Sequence, residues 1–320
     1  MELVSFDLIK RIRKHIQRLE RMSLLIPNRK KWIGITASID VLEDSSWAIE
    51  YYVENDYPSD VKGKYLYTYG LLQALFVQQD AAESIYKVFF DEEAKWSEEY
   101  PKAYVVREMR NDVVGHPVNR KDSRFFIYLV QMYMKKESIS YLKDNVKTSE
   151  NEMIKVNLME SIEDSAKCIN HVLARVLEKL DSEHKIYIMN HKDVKMVDIF
   201  RSLSYAREKI ICRDSVMEPA LYKITKDMVK NCKEEVVKRY GSISAIDAYD
   251  SIFKDVDELY DLIDNEVPNS NMPKKDEVTY RLKENLILKL EALEGLCKET
   301  DEYFEKEFKS FEAQNESKDF

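Results

Sequence analysis

Chain breakers are scarce: six glycines and seven prolines punctuate 320 residues. Because Gly costs about 1 kcal/mol and Pro about 3 kcal/mol inside a helix, long stretches without either are free to continue one. Charged residues make up 34% of the chain and hydrophobic ones 44%. That balance favours long amphipathic helices over a loop-rich or β-rich fold. The length accommodates one large domain or, more naturally, two of ordinary size.

Periodicity divides the chain further. Ile9, Ile12, Ile16 and Leu19 recur at helical spacing and predict a first helix within the opening 25 residues, with a basic outer face. Helices are expected over residues 32–54, from 59 or 64 to 90, and from Pro101, a natural first-turn residue. After Pro117 the pattern changes. Residues 125–134 are aromatic and β-branched and residues 138–142 alternate with period two, which predicts a β-hairpin near 125–142. Helical periodicity resumes over 150–181, a hinge is expected between His184 and Lys195, and helices follow over 194–211, 217–240, 243–266 and 276–311. Asn265 to Lys275, with Pro268 and Pro273, reads as a linker. Leu286, Leu290, Leu293 and Cys297 form a stripe that packs either on its own neighbours or on a partner helix. The expected fold class is all-α: a multi-helix bundle over 1–185 with an inserted hairpin, then a helical accessory domain over 190–320.

No run of 18 uncharged apolar residues is present, so no membrane partner is expected. The acidic start lacks a signal-peptide pattern. Cys168, Cys212, Cys232 and Cys297 have neither zinc-site nor Cys-x-x-Cys spacing and are expected as reduced thiols of a cytoplasmic protein. Asp255, Asp257, Glu258, Asp261 and Asp264 lack the glycine-bearing loop of a calcium site and read as a helix face. No metal or cofactor is expected, and phosphate-loop and nucleophile-elbow motifs are absent. The net charge of −9 by itself argues against nucleic acid. Its distribution partly reverses this: residues 10–31 hold nine bases and one acid, residues 101–124 six bases and three acids, and residues 241–320 ten bases and 21 acids. Either the first half faces RNA, or charged helix faces merely cluster.

The chemistry concentrates in Arg107-Glu108-Met109-Arg110-Asn111-Asp112-Val113-Val114-Gly115-His116-Pro117. On a continuous helix Arg110 and His116 would point about 120° apart. Gly115 is expected to end the helix in a left-handed cap, with Pro117 forbidding continuation, so that His116 can swing back toward the arginine.

Arg110, a polar Asn111 and, after five intervening residues, His116 resemble the motif of the HEPN superfamily. The upstream helix through Leu71-Leu72-Gln73-Ala74-Leu75-Phe76 and the Gly-His-Pro ending before a hairpin add to the resemblance, which covers about residues 1–185. It implies a helical bundle that dimerises with two motifs facing across a cleft. It also implies either a metal-independent endoribonuclease, often a toxin, antiphage or RNA-processing component, or a relative that has lost the chemistry and binds RNA, a nucleotide or a protein. An inhibitory protein partner would suit the toxin context.

Cutting RNA without a metal needs a base for the 2′-hydroxyl proton, an acid for the leaving 5′-oxygen and a cation for the phosphorane. His116 suits the acid or base role and Arg110 the cation. Asn111 is placed to hold the histidine tautomer or to bond the sugar. Arg107, Arg120, Lys121 and Arg124 are the candidates for the RNA backbone. One chain carries one such pair, so catalysis predicts a homodimer. The residues also admit a structural account, with Arg110 paired to Asp112, Glu108 or a distant acid and His116 incidental to a helix stop. Gln78, Gln79 and Asp80 either reach the cleft or form a buried network, and Tyr65, Tyr67, Tyr69 and Phe76 are expected in the core.

Overall fold

The computed structural model describes residues 1–118, 124–210, 219–266 and 275–316. The helices are α1 (Phe6–Ile16), α2 (Leu19–Leu25), α3 (Arg29–Glu54), α4 (Val61–Phe90), α5 (Trp96–Glu99) and α6 (Pro101–Arg110), the last running into a π-helical turn at Asn111–Gly115. Three strands follow, β1 (Phe125–Leu129), β2 (Ser138–Asn145) and β3 (Glu150–Asn157), and then α7 (Leu158–His191). After a 3-10 turn at Met196–Phe200 come α8 (Leu203–Ile210), α9 (Pro219–Tyr240), α10 (Asp247–Glu266) and α11 (Lys275–Glu316). No described helix is long and apolar enough to cross a membrane.

The chain forms two compact units: Met1–Ile16 with Asn28–Asp181, and Gln17–Pro27 with Ser182–Phe320. A linear division near residue 185 would leave 17–27 in the first unit, whereas α2 contacts α9 of the second. The first helix of the sequence pattern is broken accordingly. Ile9, Ile12 and Ile16 are buried in α1, but Leu19 begins α2 and is 51% exposed, so it is no part of that stripe. α7 runs unbroken through residues 181–182, and the expected hinge is helical as far as His191.

In the first unit one core joins every element around the motif. Ile49 and Tyr52 of α3, Leu71, Leu72 and Leu75 of α4, Val106 and Met109 of α6, Val113, and Ile127, Ile139 and Tyr141 of the sheet all bury in it. Each such side chain contributes about 1.5–3 kcal/mol relative to exposure. Gln78 Nε2 donates to Ser46 Oγ at 2.9 Å, and Gln79 Nε2 donates to the Ala103 carbonyl at 3.1 Å and to Ser165 Oγ at 3.2 Å. These glutamines are therefore buried ties of α4 to α3, α6 and α7 and do not face a cleft.

The expected hairpin is part of a larger sheet, antiparallel and ordered β1-β2-β3. Phe125 pairs with Asn145 and Leu129 with Tyr141, while Ser138 pairs with Asn157 and Asn145 with Glu150. Residues 150–157, expected helical, form β3. Ile154 and Val156 alternate with exposed Met153 and Lys155, a period of two that only a strand can place on one face.

In the second unit Leu286, Leu290, Leu293 and Cys297 are fully buried in the unit's own core, with Phe200, Cys232, Val236 and Val256. Three of the acids on α10 meet lysines instead of one another: Asp255 with Lys289, Asp257 with Lys233 and Asp264 with Lys226. The expected linker with Pro268 and Pro273 lies outside the described residues.

Candidate functional site

Gln73, Phe76 and Asp80 stand at i, i+3 and i+7 on α4 and so share one helix face. Arg107 and Arg110, one turn apart on α6, meet that face. The Arg110 fork is held flat. Its Nε and Nη2 donate to Gln73 Oε1 at 3.1 and 2.8 Å, its Nη1 donates to Asn111 Oδ1 at 3.1 Å, and its Cζ lies 4.1 Å from the Phe76 ring centroid. Arg107 Cζ stands 4.4 Å from the same centroid, and its Nη1 lies 2.6 Å from Asp80 Oδ1. The aromatic quadrupole thus attracts two guanidinium groups, of which one is neutralised by a carboxylate. Arg110 makes no ion pair with a described carboxylate. Its partners are two neutral amides, so no described carboxylate cancels its charge, and two of its five N–H donors carry no bond to a described residue.

Asp112, the acid next in sequence, takes a different partner. It is buried and lies 3.1 Å from Lys143 Nζ on β2, tying the π turn to the sheet. One turn beyond Asp80, Glu83 accepts from Trp96 Nε1 at 3.0 Å, and burial raises its carboxyl above the ordinary range.

Gly115 does not cap the helix as expected. Gly241 is the one described glycine with positive φ, and Gly115 ends a π turn in which the His116 amide donates to the Asn111 carbonyl at 2.9 Å. The widened turn, rather than a left-handed residue, takes His116 out of the helical register. Gly115 is required for another reason. A Cβ there would stand 2.8 Å from Arg110 Nη1, so the absent side chain makes room for the guanidinium. His116 follows with φ −140°, exposed, its ring without a hydrogen bond to any described residue. Asn111 links the two: its side chain holds Arg110 and its backbone carbonyl holds His116. Its side-chain oxygen thus faces the arginine and not the imidazole. The Pro117 carbonyl accepts the Ile127 amide at 2.8 Å and anchors the segment to β1.

Arg107, Arg110 and Asn111 therefore gather against α4. Arg124 is exposed beside β1, its Cζ 5.1 Å from the Phe125 centroid, which Lys143 Nζ also approaches at 4.9 Å. Arg120 and Lys121 lie outside the described residues. Tyr67 packs within 6.4 Å of Tyr51, Tyr52 and Tyr57, whereas Tyr69 is exposed. Sequence reasoning missed Gln73 as the anchor of Arg110, although an amide inside the apolar run Leu71–Val77, three residues before an aromatic, is a usable signal. It also missed Lys143, which no local pattern marks. No protein-family model, no curated protein and no solved structure matches this chain.

Proposed function

We propose that residues 1–185 form a HEPN-type module and that the protein is a metal-independent endoribonuclease acting as a homodimer. The observation that carries this reading is an exposed His116 at the end of the turn that follows an arginine whose charge no described carboxylate neutralises. Arg110 is preorganised by Gln73, Asn111 and Phe76, as stabilisation of a developing phosphorane charge requires. One His116 removes the 2′-hydroxyl proton as the oxygen attacks phosphorus. The partner's His116 protonates the departing 5′-oxygen, leaving a 2′,3′-cyclic phosphate. Arg124 extends the cationic surface along the backbone, Arg107 reaches it only by leaving Asp80, and Arg120 and Lys121 are candidates by sequence.

The test is cleavage of a mixed RNA pool in excess chelator by the native protein, Arg110→Ala and His116→Ala. Chelator-resistant cutting to cyclic phosphate ends, lost in both variants, is expected. Cutting that survives both substitutions would reduce the motif to a helix stop. A folded dimer that does not cut would favour the inactive RNA-, nucleotide- or protein-binding module. That second reading draws on the three contacts that already engage the Arg110 fork.

Gly115→Ala separates position from presence. The intruding methyl meets the far end of a flexible side chain, so the melting temperature stays close to native while the guanidinium leaves Asn111. Misplacement on the ångström scale costs up to about 100-fold in rate, and a loss of at least about tenfold is expected here. A native rate in Gly115→Ala would detach the observed pose of Arg110 from the chemistry.

A further inference from the structure

The second unit contains a half-open cavity of about 450 Å³, bordered by the start of α2, the end of α9, Ile246, the start of α10, and α11. Its size is that of a small-molecule site. Tyr240, Ile246, Tyr249, Leu296 and Tyr303 supply an apolar, ring-rich wall. The wall carries no charge: burial pushes all three tyrosine hydroxyls above their ordinary range, and Tyr249 Oη is already bonded to Thr300 Oγ1 at 2.9 Å.

One cation lines this hollow. The Arg18 side chain is 17% exposed, and its ion-pair contact is a long one, Nη2 at 3.5 Å from Glu307 Oε2. Its Nη1 is buried without a hydrogen-bond partner among the described residues. That nitrogen has almost no accessible surface, so an anion in the hollow meets Arg18 through the part of the side chain that lines it, whose one ion pair is the long contact with Glu307. The acids of the lining do not serve it. Glu20 Oε1 lies 2.9 Å from His184 Nδ1, and Glu299 is exposed on α11.

We infer that this cavity binds a small organic anion with a ring-bearing body, its acidic group on Arg18 and its ring against the tyrosine wall. The inference is independent of the ribonuclease reading, since every lining residue belongs to the second unit.

Two fluorescent probes of one scaffold test it on the full chain: anilinonaphthalene sulfonate and its uncharged parent, phenylnaphthylamine. The sulfonate should bind saturably at one site, with the uncharged probe about tenfold weaker, because a charge-assisted hydrogen bond is worth at least that factor. Arg18→Gln should bring the sulfonate down to the level of the uncharged probe and leave the latter unchanged. Ala248→Trp, which builds an indole into the hollow from α10, should abolish both. Equal binding of the two probes, or no saturable binding by natively folded protein, would overturn the inference. If Arg18→Gln fails to fold, the native ratio of the two probes and the Ala248→Trp result still decide.

Discussion

His116→Ala is expected, on the proposed ribonuclease reading, to lower the rate of RNA cleavage by about 10²–10⁴-fold, the range that a positioned acid–base group contributes. The same substitution should leave stability within about 0.5 kcal/mol of native, since it removes an exposed ring that bonds no described residue. Rate and stability therefore part company at this position. Arg110→Ala should match the loss of rate but also lower stability, because it strips three hydrogen bonds and a ring contact from the α4–α6 face. Single-turnover rates beside thermal melts of the same samples read both quantities. A His116→Ala protein that melts far below the native chain would show that the ring has a structural role, and would remove the basis for treating its rate loss as chemistry.

Asp301→Ala is expected to destabilise the second unit by about 3–5 kcal/mol, as removal of one member of a buried charged network does. Asp301 accepts the backbone amides of Met196 at 2.9 Å and Val197 at 3.0 Å, and its Oδ1 lies 3.8 Å from Arg239 Nη1. The Arg239 side chain is fully buried, donates to Glu235 Oε1 and to the Val194 carbonyl, and lies over Phe304. Without Asp301 two backbone donors lose their acceptor and a desolvated cation loses one of its two carboxylates. Asp301→Asn keeps one acceptor and should fall between the two. Urea unfolding, with amide exchange at Met196 and Val197, measures the effect. A shift below about 1 kcal/mol for Asp301→Ala would mean that water or a rearranged Glu235 already satisfies the network.

Much of the helical framework was legible because its signals are local. The long helices α3 and α4 follow from apolar recurrence strong enough to run through Gly34, Gly63 and Gly70, and Pro101 marks the first turn of α6 as it should. The errors lie where the same residues satisfy two periods or where distant contacts choose. Residues 150–157 precede a strongly helical stretch and share its local signals. Pairing with β2 is what makes them a strand, because their backbone groups find partners only across the sheet. Leu19 fits the spacing of α1, yet the chain breaks before it and α2 joins the second unit, a choice set by contacts with α9 more than 190 residues away.

The site divides in the same way. Composition and spacing by themselves determined a mainly helical chain, a strand pair after Pro117, and one arginine–histidine pair at the end of a helix beside a glycine and a proline. Tertiary structure alone decided what those residues are to one another. Gln73, 37 positions upstream, fixes the arginine fork. Phe76 brings two cations onto one ring, and Lys143 of β2 takes Asp112, two residues past Arg110 in sequence. Gly115 serves by lacking a side chain beside the guanidinium, and not through a backbone angle. The reason is physical. Helix propensity and periodicity act over a few residues, while the partner of a charge is whichever group the fold brings within about 4 Å, and that distance is set by packing.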